Sequence, residues 1–154
     1  PWGRPDMALF RFVDAIENDE PIEIFGEGRM RRDFTYIDDL VEAIVRLIAL
    51  PPETGRPVAV TRGADSLSAV APWRVVNIGG GHPVELMDFV AAVERALGKT
   101  AEKEILPMQP GDMRDTYAAA DLLQALTGYV PHTPLAEGVQ RFVDWYRAYR
   151  AGTA

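Results

Sequence analysis

Apolar residues at helical spacing, broken by apolar runs too short for anything but strands, restrict this chain to a mixed α/β fold. Leu9, Phe12, Val13 and Ile16 fall at i, i+3, i+4 and i+7 and share one face of a helix over 6–18. Asp6, just after Pro5, is its predicted N-cap. Ile22-Glu23-Ile24-Phe25 alternates with period two and reads as a short strand, closed by a Gly26-Glu27-Gly28 turn. Residues 34–37 read as a second short strand. Asp38 and Asp39 place negative charge at the start of a second helix, where the macrodipole favours it. Leu40, Ala43, Ile44 and Leu47 form its predicted buried stripe, and Pro51-Pro52 stops it.

Residues 53–72 are rich in Pro, Gly, Thr, Ser and Ala with weak periodicity, which predicts a long loop. The run from Arg74 to Ile78 reads as a buried strand leading into Gly79-Gly80-Gly81. Leu86, Phe89, Val90, Val93 and Leu97 define a third helix that Gly98 ends. Residues 104–108 read as extended and 121–126 as a short helix. Thr133-Pro134 reads as a cap and first helical position for the last helix, with an apolar face of Leu135, Val139, Phe142, Tyr146 and Tyr149. The predicted order is α, β, β, α, β, α, β, α, α without internal repeat. At 154 residues and 47% hydrophobic content, one core is expected.

A formal net charge of −7 argues against general nucleic-acid or membrane-surface binding, which favour clustered positive charge. The chain has no Cys, so thiolate and disulfide chemistry are excluded, and His82 and His132 are too isolated to suggest a metal. No apolar run has the length of a membrane span and no signal-peptide layout opens the chain, so a cytoplasmic setting is expected. There is no phosphate-cradling Gly-x-x-x-x-Gly-Lys and no Gly-x-Gly-x-x-Gly; Gly79-Gly80-Gly81 reads as a flexible strand-to-helix turn. Five arginines, Arg4, Arg11, Arg29, Arg31 and Arg32, crowd the first 32 residues of this acidic chain. A guanidinium fork suits carboxylate and phosphate. Arg29 and Arg31 read as solvated surface charge, whereas Arg4 and Arg32 stand at junctions where ligands tend to sit.

Four segments carry a family resemblance: Trp2-Gly-Arg-Pro-Asp-Met-Ala-Leu-Phe10, Arg32-Asp-Phe-Thr-Tyr-Ile-Asp-Asp-Leu40, Val76-Asn-Ile-Gly79 and Pro107-Met-Gln-Pro-Gly-Asp112. Together they resemble the extended short-chain dehydrogenase/reductases, and among them the UDP-glucuronate 4-epimerases of the NAD-dependent epimerase/dehydratase group. Ala71-Pro-Trp-Arg74 and Phe142-Val-Asp-Trp-Tyr146 fit that group too. The resemblance implies that residues 1–154 form the mixed α/β C-terminal substrate-binding (lid) domain, with the long loop at 53–72. The chain opens on Pro-Trp-Gly without an initiator Met. An NAD-binding Rossmann domain, with the Tyr-x-x-x-Lys pair of the family, is therefore expected upstream. The implied reaction converts UDP-glucuronate to UDP-galacturonate by transient oxidation at C4. No catalytic residue of the family falls in this chain, so the chain alone is expected to be inactive and the complete enzyme a homodimer.

By the same resemblance, Arg4 lies near the glucuronate carboxylate and Arg32 grips the diphosphate. Glu23, Ile24 and Phe25 meet the uracil through backbone, Arg11 is a further diphosphate candidate, and Asp112 belongs to the ribose and phosphate region. The neighbouring alternatives are a UDP-glucuronate decarboxylase, an epimerase of a neutral UDP-sugar, or a stand-alone nucleotide-sugar binding module.

Overall fold

The computed structural model describes residues 6–152, so Arg4 lies outside the described residues. Its elements are α1 (Ala8–Glu17), β1 (Ile22–Phe25), β2 (Arg31–Arg32), α2 (Ile37–Ile48), β3 (Val84–Glu85), α3 (Leu86–Leu97), β4 (Lys103–Leu106), α4 (Asp121–Thr127) and α5 (Leu135–Arg150), with a single 3-10 turn at Gly26–Gly28. The order of element types is the one expected, but two strands lie elsewhere. The chain divides into two compact units: Pro1–Arg32, Val84–Asp115 and Pro134–Ala154 form unit 1, and Asp33–Pro83 with Thr116–Thr133 form unit 2.

Unit 1 is built on helical periodicity. α3 buries Leu86, Phe89, Val90, Ala92, Val93 and Leu97, and α1 brings Phe12, Val13 and Ile16 against it. α5 adds Val139, Val143 and Tyr146. Each large apolar side chain taken out of water stabilises by roughly 1.5–3 kcal/mol. Gly98, with φ of 69°, ends α3 in the left-handed conformation, its N–H donating to the Glu94 carbonyl at 2.9 Å. β1 pairs in parallel with β4, Ile24 opposite Ile105, and β2 pairs antiparallel with β3, Arg32 opposite Val84.

Unit 2 corrects several expectations. Residues 34–37 form no strand, because the Tyr36 carbonyl already accepts the Leu40 N–H at 3.0 Å and Ile37 is the first residue of α2. Arg74 to Ile78 forms none either. The Ser66 hydroxyl donates to the Val75 carbonyl and accepts its N–H at 3.1 Å, occupying the groups that a ladder would use. In the predicted stripe of α2, Ala43 is buried but Ile44 is exposed. Helix termini differ as well. Met7, not Asp6, stands at the N-cap of α1. The Thr133 N–H donates to Asp39 Oδ2 at 2.8 Å, which leaves Pro134 rather than Thr133 at the N-cap of α5. Tyr149 of the predicted α5 face is exposed. Among the described residues no helix is long and apolar enough to cross a membrane, and no three His, Asp or Glu side chains gather as a metal site.

Candidate functional site

After β1 the chain reverses through Gly26, Glu27 and Gly28, all at positive φ (62°, 56° and 72°). The turn is tight: a Cβ on Gly28 would meet Met87 Sδ at 2.9 Å. It opens a cavity of about 300 Å³ lined by Gly26, Glu27, Arg29, Met30, Pro107, Met108 and Arg114. One wall is apolar, from Met30, Pro107 and Met108; the rest carries two guanidiniums and one carboxylate.

Arg32 stands next to this cavity and is held on several sides. Its Nη2 lies 3.2 Å from Asp112 Oδ1 and 3.5 Å from Met30 Sδ. Its Nη1 donates to the carbonyls of Arg31 at 3.0 Å and Arg114 at 3.1 Å. The segment carrying Asp112 is itself tied down, because the Arg31 N–H donates to the Arg114 carbonyl at 2.8 Å and Asp112 Oδ1 also accepts the Met113 N–H at 3.0 Å. The Arg32 and Asp112 side chains are 27% and 33% exposed, enough for an anion to reach the guanidinium. Arg29 pairs with Glu27 at the exposed rim of the cavity. An apolar wall beside the fixed Arg32 guanidinium suits a ligand with a flat ring at one end and phosphate at the other.

Arg11 and Glu23 come together elsewhere. Arg11 Nη2 lies 2.8 Å from Glu23 Oε2, and both line a second cavity of about 340 Å³ whose other acidic members are Asp14, Glu20 and Glu104. The side chain of Ile24 is wholly buried in the core and that of Phe25 packs partly against it, so backbone is what Ile24 can offer a ligand. Arg29, expected as solvated surface charge, lines the first cavity together with Met30, Met108 and Arg114, none of which stands out in the sequence as a ligand contact. The crowding of arginines near the start was the available signal for Arg29.

Residues 1–60 match the NAD dependent epimerase/dehydratase family. The chain is 62% identical over 146 residues to a probable UDP-glucuronate 4-epimerase of Rhizobium meliloti, covering 95% of this chain and 43% of that protein. It is 38% identical over 156 residues to UDP-glucuronate 4-epimerase 4 of Arabidopsis thaliana, covering 99% and 34%. A crystal structure of UDP-glucuronic acid 4-epimerase from Bacillus cereus, in complex with UDP-glucuronic acid and NAD, superposes with a TM-score of 0.77 at 31% identity, over 97% of this chain and 42% of that one. The first 60 residues carry the family match, and nearly the whole chain is similar to these epimerases. The chain spans less than half the length of these epimerases.

The family is NAD-dependent, and a glycine run is where a dinucleotide phosphate would be sought. The glycine run before β3 is the nearest candidate, and the chain's own Asp33 already occupies it. Asp33 Oδ2 accepts the N–H groups of Gly81 at 3.1 Å and Ala118 at 3.2 Å, and a Cβ on Gly79 would meet the Ala118 Cβ at 2.5 Å. A dinucleotide pyrophosphate needs such amides free.

Unit 2 contains two further carboxylates with every oxygen engaged. Asp39 accepts from the Tyr129 hydroxyl at 2.7 Å and from the N–H groups of His132 at 3.1 Å and Thr133 at 2.8 Å. Burial alone would raise its pKa, but these bonds outweigh that and hold it below the usual carboxylate value. The Tyr129 hydroxyl is pushed up to about 12, first by burial and then by Asp39. Asp65 accepts from Arg74 at 2.7 and 2.8 Å and from the N–H groups of Val58 at 2.8 Å and Leu67 at 3.0 Å; the Arg74 bonds lead in lowering its pKa. These carboxylates hold loops in shape rather than face a cavity as acids or bases.

Proposed function

We propose that this chain forms the UDP-sugar-binding part of an NAD-dependent 4-epimerase that interconverts UDP-glucuronate and UDP-galacturonate by transient oxidation at C4. The observation that carries this reading is the Arg32–Asp112 pair beside the cavity at the end of β1, in a chain 62% identical to a probable UDP-glucuronate 4-epimerase. The base and ribose lie against Met30, Pro107 and Met108, and the diphosphate takes the guanidinium of Arg32, with Arg29 and Arg114 adding positive charge. Asp112 orients Arg32 and accepts from the ribose. Arg4 pairs with the glucuronate carboxylate, which would select the acidic sugar. Arg11 supports the diphosphate after leaving Glu23, and the backbone of Glu23, Ile24 and Phe25 meets the uracil edge. NAD and the residues that act on the 4-hydroxyl belong to a Rossmann domain outside this chain.

The complete gene product, given UDP-glucuronate and NAD, is expected to form UDP-galacturonate, read by anion-exchange chromatography. UDP-xylose or a neutral epimer as the product would reject the assignment. Arg32→Ala should raise KM by about 10–100-fold, the loss expected for one bond between charged partners. Arg4→Lys should weaken UDP-glucuronate far more than UDP-glucose; equal losses would reject the carboxylate role.

A further inference from the structure

Methionine is the chain's only sulfur-bearing residue, with five Met and no Cys. Three of the five close on the turn that opens the candidate site. A Cβ on Gly26 would meet Met30 Cγ at 3.2 Å and Met108 Cγ at 3.9 Å, and one on Gly28 would meet Met87 Sδ at 2.9 Å. The three differ in what surrounds the sulfur. Met30 is 8% exposed and its Sδ accepts from Arg32 Nη2 at 3.5 Å, while Met87 turns its Sδ onto Gly28. Met108 meets the turn through carbon, is 42% exposed, and lines the cavity together with Pro107 and Arg114.

We propose that Met108 is a modification site, at which a hydroperoxide converts the thioether to the sulfoxide and thereby weakens nucleotide binding. The inference rests on the reading that this cavity takes the base and ribose. A sulfur lone pair attacks one peroxide oxygen, the O–O bond breaks and an S–O bond forms. Hydrogen peroxide then leaves its second oxygen as water, so sulfur loses two electrons and the peroxide gains them. The chain holds no thiol to react first, and Met30 and Met87 have their sulfurs turned inward, so oxidation at the cavity falls on Met108. The product is polar and chiral where the wall was flexible and apolar. A base laid on that wall loses apolar contact and must strip water from the new S–O dipole. Sulfoxide reductases reverse the step, so nucleotide affinity follows the peroxide level.

Hydrogen peroxide treatment of the complete gene product, followed by peptide mass mapping and kinetics, tests this. Met108 should gain one oxygen, and UDP should slow that gain by at least ~5-fold, because a pocket buries most of its ligand's surface and is covered in turn. Oxidation of Met7, outside the cavity, should keep its rate. The oxidised enzyme should show a KM for UDP-glucuronate raised about 10-fold with kcat retained, the cost of one unsatisfied polar group in the pocket. A sulfoxide reductase should restore the KM. The Met108→Leu variant, compared with its own untreated value, should keep its KM through the same treatment. A Met108 that stays unoxidised while Met7 reacts would overturn the proposal, as would oxidation that UDP does not slow or that leaves the KM unmoved. A Met108→Leu variant as sensitive as the unaltered protein would overturn it too. An untreated product other than UDP-galacturonate, with UDP still shielding Met108, would remove the epimerase reading and leave the modification site standing; UDP-galacturonate formed with a KM indifferent to the oxidation would do the reverse.

Discussion

Unit 1 fills its interior with Val13, Ile24, Phe89, Val90, Val93, Val139 and Val143, whereas the buried apolar side chains of unit 2 among the described residues are Ala43, Ala120, Leu122 and Leu123. Unit 2 closes instead around Asp33 and Asp39, which accept from backbone N–H groups remote in sequence, and around Asp65, which accepts from Val58 and Leu67 of its own loop. The Asp65–Arg74 pair is nearly enclosed, with side chains 3% and 7% exposed. An apolar core is non-directional and tolerates rearrangement, but a carboxylate surrounded by donors specifies one loop geometry and is costly to leave half-satisfied. The loop-rich unit therefore has its stability concentrated in a few bonds, and the helical unit has it spread over many contacts.

The largest expected effect tests the helical side of this contrast. Phe89→Ala, at the centre of α3, should cost about 3–5 kcal/mol in chemical denaturation, the range for emptying a large buried aromatic site. A loss below about 1 kcal/mol would show that the unit 1 core is not close-packed. Next is Asp65→Ala, which leaves Arg74 buried without its partner and should cost about 3 kcal/mol. Asp65→Leu combined with Arg74→Met sharpens the test. If enclosed volume alone matters, the double variant recovers nearly all of the loss. If the amides of Val58 and Leu67 need their acceptor, recovery stays partial, and partial recovery is the outcome expected. Tyr129→Phe comes third. It removes one donor from Asp39 while the His132 and Thr133 amides remain, so about 1.5 kcal/mol should be lost.

The same contrast explains what could be read in advance. α1, α3 and α5 announce themselves by apolar spacing because their burial is periodic along the chain, and β1 by its alternation. The segments that differ from their spacing are fixed by particular hydrogen bonds: the Tyr36 carbonyl takes the Leu40 N–H, Ser66 takes the backbone of Val75, and Asp39 takes the Thr133 N–H that would have marked a helix start. Spacing carries no information about such encounters. At the candidate site, Arg32 and Asp112 were legible from their motifs and stand 3.2 Å apart. The roles of Met30, Met108 and Arg114 emerge only when the turn after β1 brings residues 26–30 against 107–114. Arg11 and Glu23, named separately as ligand contacts, occupy each other, which sequence distance gave no reason to expect.

The smallest effect is expected from pH, and in acid it should separate the units by size. Asp39 and Asp65 have folded-state pKa values below the ordinary 3.8, Asp65 chiefly through Arg74 and Asp39 because its hydrogen bonds outweigh burial. Carboxylates lowered on folding stabilise fully above the unfolded value and lose that contribution as pH falls through and below it. Glu94 of α3 is likewise held below its ordinary 4.5: burial would raise it, but its bonds to Lys103 and the Ala101 N–H outweigh that. Amide exchange should therefore begin to rise below about pH 4 in both units, and by more in unit 2, which holds two such carboxylates against one among the described residues. Alkali should not discriminate in this way. Tyr129 of unit 2 and Tyr146 of unit 1 are both raised to about 12, each by burial first and then by its bonded carboxylate, Asp39 or Asp14. A phenol raised on folding stabilises fully below about pH 10 and loses its contribution as pH climbs through the folded value. Both units should weaken together above about pH 10. Exchange in unit 2 that stays flat below about pH 4 would mean that its aspartates are not what holds its loops.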